Sequence, residues 1–320
     1  MSSLALVEEA RRVIAGQALF SPLVPVAGRQ TPGSNPILLK AESLQPGGSF
    51  KLRGALNRLS RLSAAERAAG VIAYSTGNHA QAVALAARQL GIPATIVMSP
   101  DAPSFKVAAT QSYGARVVMA EPTSEARRLL AEAIARAEGL ALVPPYDHPD
   151  VIAGQGTIGL EILEQTSPAA VFVPVGGGGL LAGIALAIKA RAPQVRVIGV
   201  EPEWEDDASR SLQSGERVRL PGPSQSIADA IRVQMLGDLT WPIIRRNVDQ
   251  ILTVSEAAIA SATLIAFHEA HLVLEPAGAL GLAAALAYAE SLPAGGAVVA
   301  VASGGNTRLE ALSNLACQIG

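Results

Sequence analysis

The run Ala170-Val171-Phe172-Val173-Pro174-Val175-Gly176-Gly177-Gly178-Gly179-Leu180 decides the fold. A continuous apolar stretch stops at four glycines, and an alanine-rich helical pattern covers 180–190. Such a stretch reads as a strand buried on both faces, as in a parallel sheet. Glycines at a strand-to-helix turn let backbone N–H groups and the positive end of the helix face an anion. Two ligands suit that turn. One is a single phosphate. The other is a dinucleotide, because Gly177-x-Gly179-x-x-Ala182 fits a G-x-G-x-x-A pattern and Glu201 ends the next strand about 20 residues on. The turn lies in the second half of the chain, not at its first βα unit. Glu201 also stands near Glu205, Asp206 and Asp207, a grouping closer to a cation site than to a ribose contact.

Strand and helix alternate on both sides of this turn. Downstream, a strand over 196–200 ends in Glu201-Pro202, and an irregular region follows to about 240. Helices over 256–271 and 277–290 lead to a strand at 297–301, which runs into Ser303-Gly304-Gly305-Asn306. Upstream, a helix spans 4–15, and Pro22, Pro25, Pro32 and Pro36 break the chain before a strand at 37–40. A helix starts near Lys51, and 60–70 is a polar connection. Strands at 71–74, 94–98, 116–119 and 142–143 alternate with helices at 80–90, 104–113 and 124–137. Gly91, Gly114 and Gly139 stand in the helix-stop position. The alternation predicts an α/β fold with open, mainly parallel sheets. Two domains are expected, a large one from 1–60 with 149–320 and a small one from 61–148, with a ligand cleft between them.

Composition excludes several classes. Of 320 residues, 49% are hydrophobic and 16% charged, and the formal net charge is −2, so neither nucleic acid nor an anionic membrane is an expected partner. No apolar run is long enough to span a bilayer, and the N-terminus lacks a signal pattern. Cys317 is the single cysteine, which fits a reducing, cytoplasmic setting.

Ser49-Phe50-Lys51-Leu52-Arg53-Gly54 follows the glycine-containing loop Gln45-Pro46-Gly47-Gly48. Lys51 is either a solvated lysine at a helix start or an amine held to form a Schiff base with a carbonyl cofactor. Ser75-Thr76-Gly77-Asn78-His79 follows a strand and offers hydroxyl, amide and backbone donors to a carboxylate. Ser303 places a hydroxyl at a strand end. Lysine, carboxylate loop, phosphate loop and hydroxyl are the parts that hold pyridoxal phosphate and an amino acid.

With Ile152-Ala153-Gly154-Gln155-Gly156-Thr157, Gly199-Val200-Glu201-Pro202, Ile227-Ala228-Asp229 and Trp241-Pro242-Ile243-Ile244-Arg245 added, nearly the whole chain resembles one family. It is the fold-type II pyridoxal-phosphate enzymes, with a tryptophan synthase β-like fold, and within them the serine/threonine dehydratases and serine racemases. The resemblance implies that Lys51 is the Schiff-base lysine and catalytic base, that Phe50 packs on the cofactor ring and that Asn78 binds its 3′-oxygen. Gly176, Gly177, Gly178, Gly179 and the N–H of Leu180 would hold the phosphate, and Ser303 would face the ring nitrogen. A neutral hydroxyl there does not keep the ring protonated, which favours loss of a β-hydroxyl over transamination. The implied reaction is β-elimination from a β-hydroxy amino acid such as threonine, serine or 3-hydroxyaspartate, giving a 2-oxo acid and ammonia. Serine racemisation is the alternative, and a pyridoxal-phosphate carrier or regulator is the non-enzyme alternative. Ser75, Thr76, Gly77, Asn78 and His79 would bind substrate, with Arg127 and Tyr146 towards its β side. Thr76 stands where the racemases place a catalytic serine; it either donates a proton or simply packs. Glu201, the carbonyl of Glu205, and Asp207 align with a divalent-cation site suited to Mg²⁺ or Ca²⁺, the alternative being an acidic solvated turn. His268 and His271, at i, i+3 spacing, are expected on a helix surface, away from any metal. A homodimer is expected.

Overall fold

A computed structural model of the chain describes residues 3–28, 35–222, 224–292 and 295–319; Pro32 lies outside them. In chain order, α1 (Leu4–Ile14) is followed by β1 (Leu23–Pro25), β2 (Ile37–Lys40), α2 (Lys51–Ser60) and α3 (Ala64–Ala69). Next come β3 (Val71–Tyr74), α4 (Asn78–Leu90), β4 (Ala94–Met98), α5 (Ser104–Ser112), β5 (Arg116–Met119), α6 (Ser124–Glu138) and β6 (Ala141–Leu142). Then α7 (Pro149–Gln165), β7 (Pro168–Pro174), α8 (Gly179–Arg191), β8 (Arg196–Pro202), α9 (Asp207–Ser214), α10 (Thr240–Asn247) and β9 (Gln250–Val254) follow. The chain closes with α11 (Glu256–Glu269), α12 (Pro276–Tyr288), β10 (Ala297–Val301) and α13 (Leu309–Ile319).

Two sheets organise these elements. One has six strands in the order β1-β2-β10-β7-β8-β9, the other four in the order β5-β4-β3-β6. All pairings are parallel except that of β1 with β2. The central position of β7 explains its unbroken apolar sequence, since helices cover both faces of that sheet. β1 holds Pro25 at a sheet edge, where a missing N–H is tolerated.

Several elements depart from the sequence expectation. The polar connection at 60–70 contains α3, closed by a reciprocal capping box between Ser63 and Glu66. None of its residues is buried, so no apolar periodicity marks it. The irregular region expected from Pro202 to about 240 contains α9; α10 and β9 follow it, and β9 extends the large sheet. The helix expected over 256–271 stops at Glu269, and His271 takes φ 55° beyond its end, so His268 and His271 do not share a helix face.

Helix packing fixes the start of α2. A Cβ on Gly154 of α7 would lie 2.6 Å from the Cα of Gly54 in α2. A Cβ on Gly183 of α8 would collide with the carbonyl oxygen of Ile152 in α7. The three helices therefore touch through backbone, which leaves little freedom to the residue that opens α2, Lys51. Beneath them lies a buried charge cluster. Arg53 donates to Glu42 (2.7 and 2.8 Å) and to Glu161 (2.5 and 2.9 Å), and Lys40 donates to Glu161 at 2.6 Å. Burial opposes the charge on Glu42, but Arg53 beside it holds its carboxyl below the usual range.

Candidate active site

Each sheet changes its direction of construction once. In the large sheet β7, β8 and β9 are added outward, and β10 then returns to the other side of β7. In the small sheet β3, β4 and β5 run outward, and β6 returns to the other side of β3. Loops leaving the C-terminal ends of two such strands diverge and open a crevice for a ligand. Here those loops are 175–178 after β7, 302–308 after β10, 75–77 after β3 and 143–148 after β6. They carry most of the residues singled out from the sequence.

Contacts bring the loops together around Lys51. Its Nζ donates to the carbonyl of Pro145 at 2.6 Å and lies 5.1 Å from the centre of the Phe50 ring. The next residue after that proline, Tyr146, covers the glycine turn: a Cβ on Gly177 would collide with its ring, and one on Gly179 would lie 2.9 Å from its Cβ. Burial pushes the Tyr146 hydroxyl up to about 12. Phe50 N donates to the carbonyl of Ser303, and Ser49 bridges Gly304. His79 shares a hydrogen bond with the carbonyl of Val143 through Nε2, which joins the start of α4 to the β6 loop. Burial, then the nearby charge of Lys51, pushes His79 down to about 3, so it stays neutral. Asn78, the first residue of α4, donates from Nδ2 to Glu275 and accepts at Oδ1 from Asn306 at 2.8 Å. Ser75 Oγ accepts from the N–H of Gly77 at 3.2 Å and shapes that turn. Thr76 is half-buried, and its hydroxyl makes no hydrogen bond among the described residues.

Of the four lysines in the sequence, three face carboxylates: Lys40 pairs with Glu161, Lys106 with Asp229 and Lys189 with Asp249. Lys51 meets a carbonyl and a ring instead. With no acid among the described residues to hold its charge, burial pushes its amine down from 10.5 to about 8. That makes it the lysine best poised to act as a nucleophile or base.

The glycine turn is built for an anion. Gly178 takes φ 89°, and a Cβ there would lie 2.9 Å from Thr240 Oγ1. No acceptor among the described residues takes the N–H groups of Gly176, Gly177, Gly178, Gly179 and Leu180. Side chains are excluded and donors are free. Glu201, the acid that a dinucleotide would need, instead accepts the N–H groups of Ala208 (3.0 Å) and Ser209 (2.9 Å) at the start of α9.

A family model for pyridoxal-phosphate dependent enzymes matches residues 16–304. The chain belongs to this family. It is 49% identical over 280 residues to the L-threo-3-hydroxyaspartate ammonia-lyase of Pseudomonas sp, covering 87% of each protein. It is 45% identical over 283 residues to the serine racemase of Schizosaccharomyces pombe, covering 88% of this chain and 87% of that one. Among solved structures, a T.th. threonine deaminase aligns with a TM-score of 0.90 at 46% identity, over 96% of this chain and 99% of that one. This pyridoxal-phosphate dependent enzyme is therefore of fold-type II, in the serine/threonine dehydratase and serine racemase group.

The residues present fit the cofactor. Free N–H groups at a helix N-terminus suit its phosphate, an amine without an acid partner suits its aldehyde, and Ser303 offers a hydroxyl with no hydrogen bond among the described residues.

Not every expected residue joins this group. Arg127 lies on α6, half-buried, and its Nη2 donates to Ser124 Oγ in its own helix. Glu201, Glu205 and Asp207 lie together at the end of β8 and start of α9. Burial, then the charge of Asp207, holds the Glu201 carboxyl well above its usual range. Burial, with Glu205 and Asp206 adding, pushes Asp207 up to about 7. Among the described residues, no three His, Cys, Asp or Glu side chains are grouped to hold a metal.

Sequence analysis missed Glu275. It is buried between Asn78 and Gly304, with Oε2 lacking any hydrogen-bond partner among the described residues. Burial pushes its carboxyl up to about 7, against the pull of Lys106. Lys106 itself is buried and lies 3.8 Å from where a Gly77 Cβ would stand. Glu275-Pro276 before an apolar helix reads as an ordinary helix start, so nothing in the pattern distinguished it.

Proposed function

We propose that this enzyme eliminates ammonia from a β-hydroxy amino acid, with 3-hydroxyaspartate, threonine and serine as the candidate substrates. The observation that carries the proposal is the meeting of Lys51, without an acid partner among the described residues, with the glycine turn and the 75–78 segment at the switch points of two sheets. The names of its relatives, ammonia-lyases among them, support the same reaction class. Bound pyridoxal phosphate would supply an electron-withdrawing system conjugated to the substrate's α-carbon. Gly176, Gly177, Gly178, Gly179 and Leu180 would bind its phosphate through N–H groups, Phe50 would pack on its ring, and Asn78 and Ser303 would fix the ring's polar atoms. Ser75, Thr76, Gly77 and His79 would bind and orient the substrate carboxylate, and Tyr146 would shield the β side. Arg127 would reach that side only by leaving Ser124. Lys51, in its neutral form, would take the α-proton. The segments 1–60 with 149–320 and 61–148 would act as two lobes that close on the substrate.

The test is a screen of L-threo- and erythro-3-hydroxyaspartate, threonine and serine isomers, measuring 2-oxo acid and ammonia. Release from at least one is expected. Cofactor binding without release from any would favour a carrier. Thr76, with its free hydroxyl, supports racemisation as a second activity. Appearance of D-serine from L-serine at a rate comparable with ammonia release would make that activity the main one.

A divalent cation and a homodimer belong to the same proposal. Two buried carboxyls held above their usual range, with Asp207 Oδ2 unpartnered among the described residues, support Mg²⁺ or Ca²⁺ on Glu201, Asp207 and the Glu205 carbonyl. A cation bound only by the folded state stabilises it by roughly 2.7 kcal/mol at 100-fold excess over its Kd. Chelation is therefore expected to lower Tm and activity, Mg²⁺ or Ca²⁺ to restore both, and Glu201→Gln to blunt the response. A melt unmoved by chelator and ion would remove the cation. For the homodimer, exposed Leu19, Leu44 and Val273 support self-association on the large-sheet side. Gln45 joins the backbone of Leu19, and Gly305 sits against both Ser43 and Val273. Sedimentation would measure it.

A further inference from the structure

A chain of polar contacts crosses the cleft and changes side at every step but the last. Asp229, beside α12 on the large-sheet side, accepts from Lys106 of α5 at 2.9 Å. Lys106 lies 3.9 Å from Glu275, at the head of α12. Glu275 accepts from Asn78 of α4, Asn78 accepts from Asn306 after β10, and Asn306 also donates to the carbonyl of Gly47 at 2.9 Å. Lys106 and Asn78 belong to helices of the four-stranded sheet; the other members belong to the six-stranded side.

Glu275 is the centre of this chain. It occupies the N-cap of α12, yet its side chain makes no capping bond. A capping side chain would satisfy an otherwise orphaned helix N–H. The carboxylate turns instead into the cleft, where the missing side chain of Gly304 makes room: a Cβ there would lie 2.5 Å from Oε1. The residue is 2% exposed, and Oε2 has no hydrogen-bond partner among the described residues. Its effect on Asn78 follows from donor counting. The amide has two N–H donors and one carbonyl oxygen. Asn306 takes the oxygen and Glu275 takes one N–H, so flipping the amide would set oxygen against carboxylate and donor against donor. One N–H is left, with its direction fixed.

We infer that Glu275 is a positioning residue: through Asn78 it aims an N–H donor at the cofactor, and through Lys106 it ties the two sheets together across the cleft. The cofactor's identity here rests on the function proposed above. The tie to Lys106 does not depend on it.

The test compares wild type, Glu275→Gln, Glu275→Ala and Asp229→Asn. Titration of cofactor-free protein with pyridoxal phosphate gives Kd; hydrogen exchange is followed over 75–79 and 104–112; kcat and KM are measured on the best substrate. Loss of a buried hydrogen bond to a charged group weakens binding by about 10-fold or more. Glu275→Ala is expected to raise the Kd by at least that factor and to speed exchange in both segments. Glu275→Gln keeps an oxygen for Asn78 but loses the charge facing Lys106. It should restore the Kd to within about 3-fold of wild type while exchange over 104–112 stays fast and KM stays raised. Asp229→Asn should raise KM and speed the same exchange without moving the Kd. Unchanged Kd and exchange in Glu275→Ala, or a Kd as weak in Glu275→Gln as in Glu275→Ala, would overturn the role assigned through Asn78. Wild-type exchange and KM in Asp229→Asn and Glu275→Gln would overturn the tie through Lys106, also when Glu275→Ala does not fold. Wild-type protein that binds no pyridoxal phosphate would instead overturn the function.

Discussion

Lys51→Ala is expected to abolish ammonia release, by a factor of at least about 10³, while leaving the folded protein as stable as wild type. Both halves follow from the surroundings of the side chain. Lys51 opens α2, alanine is the better helix former, and the side-chain hydrogen bond lost among the described residues is that to the Pro145 carbonyl. A buried amine without an acid partner adds no stability that its removal would forfeit. The other three lysines are held by carboxylates, so none is free to substitute. The same setting predicts a pH dependence. The Lys51 amine is pushed down to about 8 in the folded chain, against 10.5 ordinarily. Between these values the unfolded chain binds the extra proton, so stability of the cofactor-free protein rises with pH across that window. The neutral amine, the form that attacks a carbonyl, becomes dominant above about pH 8. Uptake of pyridoxal phosphate, followed by absorbance, is therefore expected to speed up through pH 8 and then level off. An active Lys51→Ala enzyme would sink the assignment, and uptake that speeds up only near pH 10 would sink its electrostatic part.

The parts of this site that the sequence made legible share one property: their signal is local. Four glycines between a strand and a helix free the backbone for a tight turn there whatever surrounds them, and Lys51 follows a loop whose Gly47 and Gly48 both take positive φ. Parallel strands were legible from their apolar runs, because helices bury both faces of the large sheet. β9 was not, since Gln250–Val254 mixes two exposed with three buried residues, with no regular alternation, at a sheet edge beyond a breaker-rich region. α3 buries nothing, so its capping box was its only mark. Glu275 and Lys106 escaped for a different reason. Each looks ordinary in its own helix, and their meaning comes from a meeting between residues 169 positions apart. Arg127 shows the reverse case. The family resemblance assigns it a role at the substrate, and its own helix supplies a partner in Ser124.

Glu161→Gln is expected to destabilise the protein by roughly 3–5 kcal/mol, because it removes one of two anions that balance two buried cations. Arg53 and Lys40 are at most 1% exposed, and Glu161 is the partner they share. Glu42 stays with Arg53, but Lys40 would keep only Gln165 and the carbonyl of Ser21. An unbalanced buried charge costs far more than a lost surface pair. The control lies one turn along the same helix: Glu164→Gln breaks a pair with Arg11 whose side chains are 42% and 45% exposed, worth less than about 1 kcal/mol. For a chain of this size the expected fall in Tm is about 5–7 °C for Glu161→Gln and about 1 °C for the control. Acid should narrow the gap between wild type and Glu161→Gln. Glu42 has a depressed carboxyl, so its contribution is complete above the ordinary carboxylate range and fades as pH falls through its folded value. In wild type that loss dismantles a balanced cluster; in the variant the cluster is already broken. Because Arg53 sits in α2 two residues after Lys51, the variant should also take up pyridoxal phosphate more weakly. Thermal melts at pH 7 and pH 4, with a cofactor titration, measure all three effects. Equal Tm values for Glu161→Gln and Glu164→Gln would mean that the buried cluster does not hold α2 in place.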